Sequence, residues 1–406
     1  MPGPVVRVAH LVSHPIQYFA PLYRELARRP DIDLTVYFYS DATLREFYDA
    51  GFGRAVRWDL PLVEGYRTRI CRSAATAEIP SGFFGRPHGD IVREVGFGRY
   101  DVVWAHGYAH LTTWLVFAAA RTRGAGLLIR DEQTLLHGRP WYTRAAKAVL
   151  LRALLSQAWG LYIGEQNRRY LERYGVPPAR LVAARYCVDN RVLQQRALEL
   201  RARRSALRAG FGITDDAPVV LFCGKLVEKK QPLLLLEAFE RVQRRQRCWL
   251  LIAGDGPLRP AAEDLVARRR IPRVRMPGFL NQTELPAAYA AADLFVLPSA
   301  RHETWGLVVN EAMNFALPII VSDTVGCAED LVRPHWNGVV VSHRDVNALA
   351  DAIGTLVADP EQRRAFGARS LKLVGEYSVE ACADGIVAAC LAAGQGRAAR
   401  RRGGRA

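Results

Sequence analysis

Two lysines and two glutamates in the second half of the sequence have side chains suited to chemistry on a phosphorylated ligand. Lys225 and Lys230 are five positions apart, and two ammonium groups can neutralise a diphosphate and stabilise it as a leaving group. Glu303 and Glu311 are eight positions apart and can accept hydrogen bonds from the paired hydroxyls of a sugar and a ribose. Gly306, between them, permits the close backbone approach of a phosphate at a helix N-terminus. The pattern predicts a site for a nucleotide sugar.

Each of these side chains also has a simpler interpretation. The lysines could be solvated surface residues, and Glu303 could be a charge that complements a helix dipole. Their place in the chain favours the ligand interpretation, because ligands of open parallel sheets bind beyond the carboxyl ends of the strands. The candidate loops each follow a predicted strand: Gly224 and Lys225 after 219–223, residues 254–257 after 250–253, residues 299–306 after 294–297, and residues 322–326 after 319–321.

Short apolar runs alternate with helical patterns along both halves of the chain. The predicted elements of the first half are strands at 5–12, 34–39, 102–104 and 127–129 and a helix at 21–29. Those of the second half include the strands 219–223, 249–253, 294–297 and 319–321 and a helix at 232–244. This rhythm is typical of βαβ units, and 406 residues exceed what one core usually supports. The predicted fold class is α/β with two doubly wound domains.

Composition narrows the class of protein. The formal net charge of +16 suggests an anionic partner such as nucleic acid, an acidic membrane or a phosphorylated substrate, although a coding bias towards arginine explains scattered positions equally well. The seven cysteines form no C-x-x-C pair and are predicted to be reduced core thiols. No secretory signal and no spanning apolar stretch is visible, so we expect a cytoplasmic protein. The segment 142–159 and the basic C-terminus leave peripheral attachment to the inner face of the membrane open.

The second half resembles glycosyltransferase family 4, which has the two-domain GT-B fold. Glu303 and Glu311 form its E-x7-E motif. The other matching segments, in the family's order, are Phe222-Cys223-Gly224-Lys225-Leu226 with Lys230, Ile252-Ala253-Gly254-Asp255-Gly256-Pro257, Pro277-Gly278-Phe279, residues 291–299 and Trp336-Asn337-Gly338. The resemblance implies two Rossmann-like domains facing a central cleft. It also implies retaining, metal-independent transfer of a hexose-type sugar from a nucleotide-diphosphate sugar, in bacterial surface polysaccharide or glycolipid synthesis.

The resemblance assigns roles to single residues. Glu311 would hold the ribose hydroxyls, Lys225 and Lys230 the diphosphate, and the backbone of Phe279 and Leu280 the base. The catalytic set that it implies is His106, Lys225, Lys230 and Glu303. The remaining donor-binding residues that it implies are Gly224, Gly254, Asp255, Gly256, Thr304, Trp305, Gly306 and Leu307. Lys225 departs from the arginine of many members, so a point charge replaces a bidentate fork.

The first half resembles the family more weakly. Residues 10–19 are similar to the opening of one bacterial subset, but Ser13, His14 and Pro15 replace the glycine-rich loop of many members. His106 matches the histidine that faces the donor sugar in relatives, although a structural hydrogen-bonding role is the alternative. The acceptor-side candidates are His14, Arg130 and Glu132, and a surface ion-pair cluster is the alternative for the last two. The acceptor would be a saccharide or a lipid-linked saccharide.

A charged helical pattern over 193–208 and a turn-rich stretch at 210–216 separate the two halves and place the domain boundary there. Residues 1–195 would form an N-terminal Rossmann-like acceptor-side domain, 196–216 an interdomain linker, and 217–375 a C-terminal Rossmann-like domain that binds the nucleotide sugar. A helix over 376–394 would pack back towards the N-terminal domain, and a basic tail over 395–406 would be disordered.

The sequence also offers a metal-dependent mechanism and other classes of protein as alternatives. Asp31-Ile32-Asp33 matches the Asp-x-Asp motif of metal-dependent transferases, but it precedes its strand and so lies at the wrong end of the sheet. No metal site is predicted, and no cofactor beyond the nucleotide sugar as co-substrate. The alternatives are a sugar-nucleotide epimerase or phosphorylase of the same fold, and a non-catalytic nucleic-acid-binding or regulatory protein, although no specific nucleic acid is expected.

Overall fold

The computed structural model describes residues 5–71, 82–84, 88–136 and 141–403. The chain forms two compact units. Unit 1 contains Met1–Phe47, Leu60–Tyr186 and Val379–Ala406. Unit 2 contains Tyr48–Asp59 and Cys187–Ser378.

The strands of the described residues belong to three sheets. In chain order they are β1 (Val6–Val12), β2 (Ile32–Phe38), β3 (Phe47–Asp49), β4 (Arg54–Val56), β5 (Arg67–Ile70), β6 (Val102–His106), β7 (Gly126–Arg130), β8 (Trp159–Tyr162), β9 (Leu181–Ala183), β10 (Val219–Cys223), β11 (Trp249–Ala253), β12 (Val274–Gly278), β13 (Leu294–Leu297), β14 (Ile319–Ser322) and β15 (Gly338–Val341). Unit 1 has the strand order β5-β2-β1-β6-β7-β8-β9, and unit 2 has β12-β11-β10-β13-β14-β15. Strands β3 and β4 form a separate two-stranded sheet.

Helices connect the strands within each unit. In chain order they are α1 (Ala20–Ala27), α2 (Gly89–Ile91), α3 (Leu111–Thr122), α4 (Trp141–Leu155), α5 (Glu165–Arg173), α6 (Asn190–Arg201), α7 (Arg204–Gly210), α8 (Pro232–Gln243), α9 (Arg259–Arg269), α10 (Leu285–Ala291), α11 (Leu307–Asn314), α12 (Ala328–Leu331), α13 (Val346–Ala358), α14 (Pro360–Val374) and α15 (Val379–Gly403).

The four central strands of unit 2 are almost wholly apolar because both faces of the sheet are covered there. Every residue of β10, β11, β13 and β14 is buried. All the pairings of these strands are parallel, with Val219 opposite Trp249 and Leu221 opposite Phe295. Such continuous burial is typical of a parallel sheet with helices on both faces. The carboxyl ends of the strands therefore lie along one edge, where the candidate loops begin.

Unit 1 repeats this plan. Strand β1 lies between β2 and β6, with Val6 opposite Ile32 and Val8 opposite Val102 in parallel register. The order of strands reverses on the two sides of β1, which makes its carboxyl end a topological switch point, where such sheets bind ligands. The predicted class, α/β with two Rossmann-like sheets of the GT-B type, is confirmed.

Helix α15 packs within unit 1, against β7, β8, β9 and α1. A Cβ atom on Gly126 would come within 2.6 Å of the carbonyl oxygen of Ala393, so the helix approaches β7 backbone to backbone. Among the described residues, one helical stretch, Pro360–Gln395, is long and apolar enough to cross a membrane, and 44% of its apolar window is buried. Core helices of water-soluble proteins meet the same criterion.

The units differ in three places from the boundaries that the sequence suggests. Unit 2 begins at Cys187 rather than in the linker at 196–216, and α6 and α7 occupy that linker. It also takes up residues 48–59, from the first half of the sequence. Helix α15 continues to Gly403, past the boundary at 394, because Ala and Arg favour helix. Of the tail at 395–406, residues 404–406 and the side chains of 396–403 lie outside the described part.

Candidate functional site

The loops that carry the predicted donor residues meet at one edge of the sheet of unit 2. Strand β10 pairs with β11 on one side and with β13 on the other, so the order reverses here as well. Backbone hydrogen bonds join the loops that follow these strands. Gly224 N donates to the Ala253 oxygen at 3.0 Å, and Ala300 N donates to the Lys229 oxygen at 2.7 Å. The fold thus brings together residues that are 29 and 71 positions apart in the sequence.

Two of the glycines at this edge are required by their surroundings. A Cβ atom on Gly254 would lie 1.9 Å from the Gly224 carbonyl oxygen, which is far inside van der Waals contact. Gly306 has a φ of 101°, in the left-handed region, and caps the N-terminus of α11. A Cβ atom there would lie 2.9 Å from Leu297 Cδ2. At both positions the chain packs too closely against its neighbours to admit a side chain.

Lys230 and Glu303 form a buried ion pair. Lys230 Nζ contacts Glu303 Oε2, and the two side chains are 11% and 10% exposed. The Ser299 hydroxyl donates to the same carboxylate oxygen at 3.1 Å. Burial works to raise the pKa of Glu303, but the Lys230 ammonium, helped by Lys229 and Ser299, outweighs it and holds that pKa below its usual value. Glu303 is therefore ionised at neutral pH, and it fixes the ammonium group in place.

Lys225 is held by a residue that the sequence did not single out. Its Nζ donates to both carboxylate oxygens of Asp49 at 2.8 Å and lies 4.8 Å from the centre of the Phe52 ring. The Lys225 side chain is 36% exposed and that of Asp49 is 15% exposed. The two predicted diphosphate cations are thus each paired with a carboxylate.

Glu311 lies in α11 and is 3% exposed. The Tyr289 hydroxyl donates to Glu311 Oε2 at 2.7 Å, which orients the carboxylate from α10. A carboxylate fixed in this way is an oriented acceptor for the hydroxyls of a ribose.

The other predicted donor residues serve the loops in different ways. Asp255 accepts hydrogen bonds from Gly256 N at 2.9 Å and from Arg259 at 3.4 Å, which shapes its own loop. Trp305 is 3% exposed and donates to Asn310 at 2.9 Å, so its ring is structural and its backbone is what it offers to a ligand. The partly exposed members of the set are Gly224, Asp255, Phe279, Leu280, Thr304 and Leu307.

His106 ends β6 in unit 1. Its Nε2 lies 3.5 Å from Glu132 Oε1, and its Nδ1 is buried without a hydrogen-bond partner among the described residues. Burial works to raise the pKa of Glu132, but His106 and the donated hydrogen bond of Tyr186 lower it on balance. The Glu132 carboxylate thus fixes the orientation of the His106 ring.

The remaining candidates of unit 1 surround this pair. Burial, reinforced by His106 and His110, lowers the pKa of His14 to about 4, so its ring is neutral at physiological pH. Its Nδ1 lies 2.9 Å from the Ser13 hydroxyl. Arg130 is 1% exposed, and its guanidinium lies over the rings of Phe19 and Tyr186 at 5.6 and 5.1 Å. The surface-cluster interpretation does not fit Arg130, because its charge is buried between aromatic rings.

Two further features of the described residues, a side-chain cluster and a groove, could accommodate a ligand. Within the described residues, Cys71, His88 and Asp90 form a group whose donor atoms could hold a metal ion, with the thiol 3.0 Å from both His88 Nδ1 and Asp90 Oδ1. A groove of about 630 Å³ in unit 2 is lined by parts of α6, α10 and α14. None of the predicted site residues belongs to either feature.

Sequence reasoning missed Asp49, Phe52, Ser299 and Tyr289. Ser299 had a signal, since it follows β13 directly and begins the loop that contains Glu303. Asp49 and Phe52 had none, because nothing local indicates that residues 48–59 belong to unit 2.

Comparison with known proteins matches this part of the chain to a family. Residues 203–372 match the family described as Glycosyl transferases group 1. Alpha-D-kanosaminyltransferase of Streptomyces kanamyceticus is 35% identical over 189 residues, which are 46% of this chain and 48% of the relative. The chain thus spans about half the length of that relative. D-inositol 3-phosphate glycosyltransferase of Kineococcus radiotolerans is 28% identical over 339 residues, 75% of this chain and 74% of the relative.

Solved structures share the fold over nearly the whole chain. A glycosyltransferase from Rickettsia africae has a TM-score of 0.73 at 13% identity, covering 96% of this chain and 98% of its own. Anabaena Alr3699/HepE in complex with UDP has a TM-score of 0.69 at 16% identity, covering 94% and 98%. Residues 203–372 are therefore similar to group 1 glycosyl transferases, and the chain has the GT-B fold of the solved glycosyltransferases that it resembles.

Proposed function

We propose that this protein is a glycosyltransferase that moves a hexose-type sugar from a nucleotide-diphosphate sugar to an acceptor hydroxyl. The observation that carries the proposal is the meeting of Lys225, Lys230, Glu303 and Glu311 at the carboxyl-end edge of one parallel sheet, inside the segment that matches the family. Two ammonium groups and two oriented carboxylates suit a ligand with a diphosphate between two hydroxyl-bearing rings.

In this proposal Glu311 accepts hydrogen bonds from the ribose and Glu303 from the transferred sugar. Lys225 and Lys230 take the negative charge that develops on the diphosphate as the sugar bond breaks. Because Glu303 already fixes the Lys230 ammonium, this cation needs little reorganisation when the charge appears. One structural neighbour supports this choice of ligand, since Anabaena Alr3699/HepE binds UDP and UDP-glucose.

The finer features of the reaction rest on the family resemblance. We propose retention of the anomeric configuration, with the leaving phosphate accepting the acceptor proton, and transfer without a metal ion, because the two ammonium groups can do the work of a cation on the diphosphate. No cofactor is required beyond the nucleotide sugar.

The setting of the reaction is also a proposal. The polar residues at the switch point of unit 1, which include His14, His106 and Glu132, would serve a saccharide or lipid-linked acceptor. The net charge of +16 suits a cytoplasmic enzyme that associates peripherally with the anionic inner face of the membrane, in surface polysaccharide or glycolipid synthesis.

A thermal-shift screen against UDP, GDP, ADP, TDP and their common sugar conjugates tests the proposal. One nucleotide series should raise the melting temperature of the wild type, with and without chelator. Glu311→Gln should lose that rise. Glu361→Gln is the matched control, because Glu361 lies on α14 of the same unit and its side chain is 88% exposed. No shift with any nucleotide, or an equal shift in Glu311→Gln, would refute the donor site.

A further inference from the structure

Residues 48–59, here called the donor-site segment, lie on the residues that would bind the diphosphate and the base. The Lys225 ammonium donates to both oxygens of the Asp49 carboxylate, each at 2.8 Å. The same ammonium lies 4.8 Å from the centre of the Phe52 ring. The cation is thus occupied by an anion on one side and by an aromatic face on another.

The segment also covers the end of β12. The rings of Phe52 and Phe279 meet edge to face with their centres 4.8 Å apart, and the Arg54 guanidinium lies 5.3 Å from the centre of the Phe279 ring. An edge-to-face contact at this distance leaves no space for a base between the rings. The residue that would lie beside the base therefore already has an aromatic neighbour.

Polar contacts fasten the far end of the segment. Asn281 Nδ2 donates to the Arg57 carbonyl oxygen at 2.8 Å, and Thr283 N donates to Asp59 Oδ2 at 3.1 Å. At the near end the backbones touch, since a Cβ atom on Gly256 would come within 2.9 Å of the Gly51 oxygen. The donor-site segment therefore contacts in turn the loops that come after β10, β11 and β12.

We infer that the donor-site segment is an internal competitor of the donor: Asp49 occupies Lys225 in place of the diphosphate, and Phe52 occupies the neighbourhood of Phe279 in place of the base. The inference rests on the proposed function. A nucleotide sugar binds only after Asp49 has released Lys225, because a carboxylate and a diphosphate cannot share one ammonium without repelling each other. The apparent affinity for the donor is lowered by the fraction of molecules in which the segment is in place.

The opposite role for Asp49 makes the opposite prediction. If Asp49 served only to hold Lys225 in position for the donor, its removal would let the lysine move and would weaken donor binding. The sign of the change in affinity therefore separates a competitor from a positioning residue.

The test is calorimetric titration of the full-length protein with UDP. Asp49→Asn keeps the shape of the side chain and removes its charge. Asp59→Asn is the matched control, since it removes the same charge from the same segment but touches Thr283 rather than Lys225. The ion pair between Asp49 and Lys225 is partly exposed, and it keeps the donor-site segment in place in most molecules. Asp49→Asn should therefore lower the Kd for UDP by about three- to tenfold. Asp59→Asn changes it by less than about twofold, since Asn still accepts the hydrogen bond.

Hydrogen exchange of the wild type gives a second readout that needs no variant. UDP should speed exchange of the backbone amides at 50–58, because the bound ligand displaces the segment. Two results would overturn the inference and leave the donor site standing, provided that the wild type binds UDP. One is an affinity of Asp49→Asn for UDP that is equal to or weaker than that of the wild type. The other is exchange of the amides at 50–58 that UDP slows or leaves unchanged. Failure of every protein to bind any nucleoside diphosphate would instead overturn the proposed function.

Discussion

Replacing Lys230 by methionine should destabilise unit 2 far more than a surface substitution does. Methionine keeps most of the length of the side chain but removes the ammonium that neutralises Glu303. The carboxylate would then stay in a site that leaves it only 10% exposed, where the Ser299 hydroxyl still donates to it. Breaking a buried ion pair by removing one partner costs about 3–5 kcal/mol.

The magnitude at this site should fall at the low end of that range. The residual exposure admits some water, and Ser299 supplies one hydrogen bond, so we expect a loss of about 3 kcal/mol for Lys230→Met. Glu303→Gln should cost about 1–2 kcal/mol, because the amide oxygen can still accept from Lys230. The double variant should be more stable than the sum of the two losses implies, since it leaves no unpaired charge.

Urea unfolding followed by circular dichroism and tryptophan fluorescence measures these losses. Arg268→Met is a suitable control, because Arg268 pairs with Asp264 on the exposed surface of α9. It should change the free energy of unfolding by less than about 1 kcal/mol. The reasoning would be refuted by a Lys230→Met variant as stable as the wild type, or by losses that add in the double variant.

Three further outcomes follow from the structure. Gly254→Ala should cost more than about 2 kcal/mol in urea unfolding, because its Cβ would overlap the Gly224 carbonyl; a neutral variant would contradict that packing. NMR titration should give His14 a pKa of about 4, below its ordinary 6.5. The unfolded chain therefore takes up the proton first, and the free energy of unfolding falls as the pH drops from 6.5 to 4. His14→Gln should reduce this pH dependence, and a His14 titration near pH 6.5 would contradict the prediction. The seven cysteines are buried and form no disulfide with one another, so a thiol reagent should react rapidly with none of them in the native protein and with all seven in urea.

Local sequence predicted the sheets well because their strands are buried on both faces. The runs 219–223, 249–253 and 294–297 coincide with β10, β11 and β13, since each apolar run ends at a glycine or a proline, which interrupts a strand. For less apolar runs, the predicted ends of the strands differ from the observed ends by a residue or two. The predicted strand at 34–39 is β2 at Ile32–Phe38, which starts early because Ile32 and Leu34 are both buried.

The pairing of charges could not be predicted in the same way. Lys225 and Asp49 are 176 positions apart, and Lys230 and Glu303 are 73 apart, so no local pattern connects them. The sequence predicted two cations available to a diphosphate, whereas in the structure each is already neutralised. Which unit a segment joins depends on long-range packing. This is why residues 48–59 could not be assigned to unit 2 from their composition.

The most direct test of the donor site is a crystal structure of the protein with the nucleotide sugar that stabilises it most. The account predicts the ribose hydroxyls on Glu311, the diphosphate beside Lys225 and Lys230, and the sugar facing Glu303. Density for the ligand elsewhere, for example in the groove lined by α6, α10 and α14, with no ligand hydroxyl on Glu311, would contradict it.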